Sequence, residues 1–180
     1  MGSYLSQLWS FASGSASAEV KIVIAGLNNA GKTTLLYKLA LGNIVVTEPT
    51  VGSNVESVTH NGVKMQVWDL GGHQTVRSSW EAYFCKVQGI IYVIDASEMN
   101  KDTILASKVE FHNMLMHSEL ANASVLVFAN KSDLPEHKPL SELVQDYGLD
   151  TTKHELHVQA CSAVTGLGLR EGLDWLAVRI

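Results

Sequence analysis

The sequence predicts an open α/β domain, with a mostly parallel sheet, one antiparallel hairpin and helices on both faces. Two observations carry this. Near-continuous apolar runs of strand length, Val20 to Ala25, Val87 to Asp95 and Ser124 to Ala129, alternate with longer segments whose apolar positions recur every three or four residues. Strands buried on both faces and joined through helices form parallel sheets, with the ligand at the carboxyl ends of the strands. Between Ser53 and Trp68 the pattern changes. Two runs flank Asn61-Gly62, and both residues tolerate the positive φ of a type I′ turn, so this stretch reads as a hairpin.

Taken in order, Tyr4, Leu5, Leu8, Trp9, Phe11 and Ala12 recur at spacings of three and four with serines and Gln7 largely opposite, which predicts an amphipathic helix. The small residues from Ala12 to Ala18 read as a linker, so residues 1–18 form an appendage and residues 19–180 the domain proper. Within the domain, Lys32 to Leu41, Lys101 to His117, Leu140 to Tyr147 and Leu169 to Ile180 carry helical spacing, and the last of these gathers Leu169, Leu173 and Leu176 on one face. A last strand that includes His154 and His157 is expected ahead of Ser162.

Composition removes several classes of function. The 180 residues are 46% hydrophobic, enough for one sizeable core, and 18 acidic against 13 basic residues give a net charge of −5. A chain with that balance lacks the basic field that nucleic-acid binding requires, so no nucleic-acid partner is expected. Cys85 and Cys161 are too few for a disulfide framework and too distant for a metal knuckle, and read as two core thiols in a reducing compartment. No apolar run is long enough to span a bilayer, and the serines of the amino-terminal segment interrupt any secretory signal. Neither His154 with His157 nor His112 with His117 has a spacing that makes a metal site.

The chemistry begins at Gly26-Leu27-Asn28-Asn29-Ala30-Gly31-Lys32-Thr33, a Gly-x-x-x-x-Gly-Lys-Thr motif placed between a strand and a helix. Gly26 and Gly31 let the backbone of Asn28, Asn29 and Ala30 wrap so that its N–H groups face phosphate oxygens, and the helix that follows presents its positive end. Lys32 supplies charge, and the Thr33 hydroxyl is placed to ligate Mg²⁺. Asn130-Lys131-Ser132-Asp133 follows the strand Ser124 to Ala129 and so reaches the same rim of the sheet. A carboxylate there accepts from the N1–H and exocyclic amine of guanine, a donor pair that adenine lacks, so Asp133 is expected to select guanine. Trp68-Asp69-Leu70-Gly71-Gly72 ends the hairpin: Asp69 is expected to hold Mg²⁺ through a water, and Gly72 to let its N–H approach a γ-phosphate. In Pro49-Thr50, the Thr50 hydroxyl is expected to complete the metal shell only when the γ-phosphate draws its loop inwards.

These residues resemble the Arf family of small GTPases along nearly the whole chain. The resemblance rests on Gly26 to Thr34, Pro49 to Gly52, Trp68 to Gly72, and Arg77 with Trp80; Gly52 to Glu56 and Arg77 to Trp80 look most like the Arf-like type 5 branch. It implies a P-loop small GTPase fold with an amino-terminal amphipathic helix, and a monomeric switch that binds GDP or GTP with Mg²⁺. It places Thr34 in the phosphate loop, and Ser162-Ala163 in the base-binding loop, where the Ala163 N–H meets the guanine O6. Trp68 and Tyr83 match two members of the aromatic patch that effectors read, while Ser53 replaces the third. An exchange factor, an activating protein and effectors are implied, as is a cytoplasmic protein that reversibly joins a membrane, at the Golgi, in vesicle trafficking.

Two features refine that picture. His73 stands where the family has the glutamine that orients the attacking water; a neutral imidazole accepts one hydrogen bond and donates another, and a similar Gly-Gly-His occurs in the related Sar GTPases. Hydrolysis is therefore expected to be slow alone, with His73 and Lys32 as its catalytic residues and a partner to accelerate it; the alternative is a nucleotide-gated binding module with little hydrolysis. Met1-Gly2-Ser3-Tyr4-Leu5-Ser6 fits the myristoylation pattern at Gly2. Myristate alone attaches marginally, so the amphipathic helix is expected to supply the second signal.

Overall fold

Six strands, β1 (Val20–Ala25), β2 (Ser53–His60), β3 (Val63–Leu70), β4 (Gly89–Asp95), β5 (Ser124–Asn130) and β6 (Leu156–Ala160), form one sheet in the order β2-β3-β1-β4-β5-β6. The structure is a computed structural model that describes residues 19–45 and 47–180. The expected amino-terminal helix and linker, with Gly2, lie outside the described residues. β2 and β3 pair antiparallel and every other neighbouring pair is parallel. Asn61 and Gly62 close the hairpin with φ of 49° and 81°, as a type I′ turn demands.

Among the described residues there are five α-helices, four in the connections between strands and one after β6: α1 (Lys32–Leu41), α2 (Gln74–Arg77), α3 (Lys101–Leu115), α4 (Leu140–Tyr147) and α5 (Leu169–Ala177). Alternation along the central strands divides the core in two. On one face Val23, Tyr92, Ile94 and Val127 pack with Phe111 and Leu115 of α3 and Leu143 and Tyr147 of α4. On the other, Ile22, Ile24, Ile91 and Phe128 pack with Leu35 and Leu36 of α1 and Leu169, Leu173 and Leu176 of α5. Gly172 lets α5 lie close on the sheet, since a Cβ there would sit 2.5 Å from the Phe128 ring. This sandwich holds the carboxyl ends of β1, β3 and β5 rigidly at one rim.

Several boundaries differ from expectation. β4 begins at Gly89 rather than Val87, β5 extends to Asn130, and β3 runs on through Asp69 to Leu70. The helix expected to reach His117 ends at Leu115, because the Met116 and His117 amides turn back onto the carbonyls of residues 112–114. The last helix ends at Ala177 rather than Ile180. His154 precedes β6, so the two histidines do not share a strand. Cys161 is buried, but Cys85 is exposed and is no core thiol.

Candidate functional site

The segments assigned to nucleotide binding follow the carboxyl ends of β1, β3, β5 and β6 or lead into β2, and so meet at one rim of the sheet. After β1 the chain turns through Gly26 (φ 141°), Asn29 (φ 63°) and Gly31 (φ 92°), and α1 starts at Lys32. At Gly26 a side chain is impossible, since its Cβ would lie 2.3 Å from the Val93 carbonyl oxygen. Asn28, Asn29, Gly31, Lys32, Thr33, Thr34, Pro49, Thr50 and Gly72 line one cavity of about 370 Å³.

Beside that cavity, two groups of opposite charge are held out of water. Burial brings the Lys32 ammonium down from its usual 10.5 to about 8, opposed by the Asp69 charge and reinforced by Arg77. Lys32 Nζ donates to the Leu27 carbonyl at 2.8 Å. Burial likewise pushes the Asp69 carboxyl above the usual carboxylate range, against the Thr33 hydrogen bond, the Lys32 charge and the Thr50 hydrogen bond. Thr33 Oγ1 donates to Asp69 Oδ2 at 2.6 Å and Thr50 Oγ1 donates to the same oxygen at 3.2 Å, while the two hydroxyl oxygens lie 2.9 Å apart. Asp69 Oδ1 is buried with no hydrogen-bond partner. Oxygen donors converging on a buried, half-satisfied carboxylate are what a hard divalent cation prefers, so these residues fit Mg²⁺.

Asn130 bridges two loops. Its Nδ2 donates to the Ala30 carbonyl at 2.8 Å, and its Oδ1 accepts from the Ala163 N–H at 2.8 Å. The Ala163 amide, expected to face guanine O6, is thus engaged by Asn130, because fixing Nδ2 on Ala30 turns Oδ1 towards residue 163. Lys131, at φ 66°, pairs its ammonium with Asp95. Ser132 Oγ donates to the Cys161 carbonyl at 2.7 Å and ties the turn to the next loop. Asp133 is exposed beside that loop, near enough to help burial push the Cys161 thiol up. Ser162 is fully buried, and its Oγ accepts from the Thr165 N–H at 3.0 Å.

Gly71 and Gly72 follow β3 under tight restraint. The Gly71 N–H donates to the Gly52 carbonyl at 2.8 Å, and the Asn28 N–H donates to the Gly72 carbonyl at 3.1 Å. Trp80 is buried and donates its Nε1–H to the Gly71 carbonyl at 2.9 Å. His73 caps the four-residue helix α2 and is exposed. Trp68 and Tyr83 lie 5.7 Å apart between ring centroids, with Val55 paired across the hairpin from Trp68.

A Gly-x-x-x-x-Gly-Lys-Thr loop, a buried aspartate beside it and an Asn-Lys-Ser-Asp turn, together at one rim of this sheet, define a small GTPase. Comparisons make the assignment particular. Residues 5–180 match the ADP-ribosylation factor family. The chain is 41% identical to human ADP-ribosylation factor-like protein 5A over 163 residues, 90% of each chain. It is 44% identical to ADP-ribosylation factor-like protein 5 of Dictyostelium discoideum over 165 residues, 91% of this chain and 89% of that one. The solved structure of the Arl6 BBS3 small GTPase from Trypanosoma brucei, with the bound nucleotide analogue GppNp, superimposes with a TM-score of 0.81 at 31% identity, over 89% of this chain and 96% of that chain. The chain belongs to the ADP-ribosylation factor family; it binds guanine nucleotide as a switch and hydrolyses GTP.

Proposed function

We propose that this GTPase couples its nucleotide state to reversible membrane attachment and effector recruitment in vesicle trafficking at the Golgi, from a cytoplasmic pool. The observation that carries the reading is the meeting of Thr33, Thr50 and Asp69. They come from α1, from the loop before β2 and from the end of β3, so a change at one oxygen cluster is felt along the whole hairpin. Thr33, Thr50 and Asp69 are the residues that would hold Mg²⁺, which would supply neutralisation of phosphate charge. Lys32 and the P-loop amides of Asn29 and Gly31 bind the phosphates, the Asn28 N–H being held by the Gly72 carbonyl, with Thr34 beside them, and Gly72 leaves room for a γ-phosphate. Asp133 selects guanine, while Asn130 keeps the P-loop and the Ser162-Ala163 loop in register. His73 orients the attacking water, slowly until a partner assists.

Attachment rests on myristate at Gly2 and the apolar face of the helix that the sequence predicts at the amino terminus, two signals that together exceed the marginal affinity of either. A hairpin that slides to release this helix moves by an even number of residues, or its faces invert. Effectors read Trp68, Tyr83 and the neighbouring Val55. The test is co-sedimentation of the acylated full-length protein with liposomes, loaded with GDP or with a non-hydrolysable GTP analogue. Tighter binding with the GTP analogue is expected, and equal binding in the two states would overturn the coupling.

A further inference from the structure

The ring of His73 is not free to choose its tautomer. Its Nδ1 faces Thr75 from two directions: the Thr75 N–H donates to it at 3.4 Å, and Thr75 Oγ1 lies 2.9 Å away. A hydroxyl hydrogen can turn either way, but a backbone amide only donates, and an Nδ1–H would face it head-on. The backbone contact, long at 3.4 Å, favours Nδ1 as the lone-pair nitrogen, and the hydroxyl hydrogen turning to donate there at 2.9 Å adds the stronger bond. A neutral ring so held carries its proton on Nε2. His73 is also the N-cap of α2, with extended backbone at φ −68° and ψ 143°, so the contact that fixes the ring also starts the helix.

We propose that Thr75 is a positioning residue that holds His73 as its Nε2–H tautomer, so that the imidazole serves GTP hydrolysis as a hydrogen-bond donor and not as a base. This rests on the reading of His73 as the water-orienting residue. A donor at Nε2 binds a lone pair of the attacking water or an oxygen of the γ-phosphate, and has no lone pair for the water's proton. The balance is then set by the substrate. The water oxygen bonds to the γ-phosphorus, the bond from that phosphorus to the β–γ bridging oxygen breaks with its electron pair going to GDP, and the water's proton passes to a γ-phosphate oxygen of the departing phosphate. Glutamine offers both a donor and an acceptor; a ring locked by Thr75 keeps only the donor.

The experiment is imidazole ¹⁵N spectroscopy of the full chain with a non-hydrolysable GTP analogue bound, at a pH where the ring is neutral, alongside single-turnover GTP hydrolysis. Wild type and Thr75→Ser are expected to show a lone-pair signal at Nδ1 and a protonated signal at Nε2. Thr75→Val keeps the shape and the weak backbone contact but removes the hydroxyl; it is expected to move both signals towards a tautomer mixture and to slow hydrolysis by up to about fivefold, the worth of one hydrogen bond, with nucleotide affinities unchanged. In a His73→Gln background the same valine is expected to leave the rate unchanged, which a merely structural role for Thr75 would not produce. A protonated Nδ1 in the wild type, or ring signals and rate unmoved by Thr75→Val, would overturn the proposal. If His73→Ala leaves hydrolysis unchanged while the ring signals are as expected, the catalytic reading of His73 fails, and the positioning role falls with it while the tautomer stands.

Discussion

The side-chain amide of Asn130 donates to the carbonyl of Ala30, 100 residues earlier in the chain, at 2.8 Å. Both groups are buried, and the other end of the same amide accepts from Ala163. One side chain thus joins the P-loop, the Asn-Lys-Ser-Asp turn and the loop after β6. Removing it leaves a buried carbonyl and a buried N–H without partners, each costing about 1–3 kcal/mol. Asn130→Ala is expected to lower unfolding stability by roughly 2–4 kcal/mol on that principle, and to weaken GDP and GTP binding together, since the damage is to the shared frame. Urea unfolding and nucleotide titrations check both halves.

Gly72 lies against Lys32. A Cβ at this position would come 2.5 Å from Lys32 Nζ and 2.6 Å from the Asn28 backbone nitrogen. Gly72→Ala therefore pushes β3's end away from the phosphate cavity or displaces the lysine. Overpacking of this kind costs about 1–3 kcal/mol, so roughly a tenfold loss of affinity is expected for a non-hydrolysable GTP analogue. GDP, which makes no demand at the γ-position, loses less. Equal losses for the two nucleotides would remove Gly72 from the γ-phosphate site.

Residues whose role is local were legible in the sequence, and residues whose role is a distant partnership were not. The P-loop glycines, Lys32 and the Asn61-Gly62 turn announce themselves because a strand, a tight turn and a helix are spelled within about a dozen residues. The face-sharing of Leu169, Leu173 and Leu176 followed from periodicity alone. By contrast, α2 spans only Gln74–Arg77, too short for any periodicity, and His73 showed itself as a substitution rather than as a cap. That Asn130 occupies the Ala163 amide depends on where two loops meet, and no spacing encodes it. Helix ends overran for the same reason, since the turns after Leu115 and Ala177 keep apolar residues in phase while the hydrogen bonding tightens.

Lys32 makes nucleotide binding a proton-linked event. In the protein alone its ammonium has a pKa of about 8 against 10.5 for an unperturbed lysine. Between those values the unfolded chain holds more protons than the folded one, so this group's contribution to stability rises with pH through the window, and its penalty is complete below about pH 8. A polyphosphate beside the lysine favours the charged form. Binding at pH 8.5 should therefore take up about three-quarters of a proton, the deprotonated fraction for such a pKa, seen by calorimetry in buffers of different ionisation enthalpy. Lys32→Met should abolish that uptake and weaken binding while leaving the free protein no less stable, because it removes a buried charge.

At the far end of the hairpin, Asp174 of α5 holds the turn. Its Oδ1 accepts from Asn61 Nδ2 at 2.7 Å and lies 2.7 Å from His60 Nε2. The His60 and Asn61 hydrogen bonds hold the Asp174 carboxyl below its ordinary range. For a depressed carboxyl the sign is fixed: its stabilisation is present above the unfolded value and fades as pH falls through the folded one. Because the turn is what a sliding hairpin must carry with it, this contact stabilises the observed β2–β3 register, with Val55 opposite Trp68, against any shifted one. Asp174→Asn is therefore expected to lower the melting temperature near neutral pH, with the gap from wild type closing as the pH is taken below about 4. The same variant should show faster amide hydrogen exchange in residues 53–70 than in β4 or β5. An unchanged exchange pattern would mean that the strand pairing alone, without the α5 contact, sets the register.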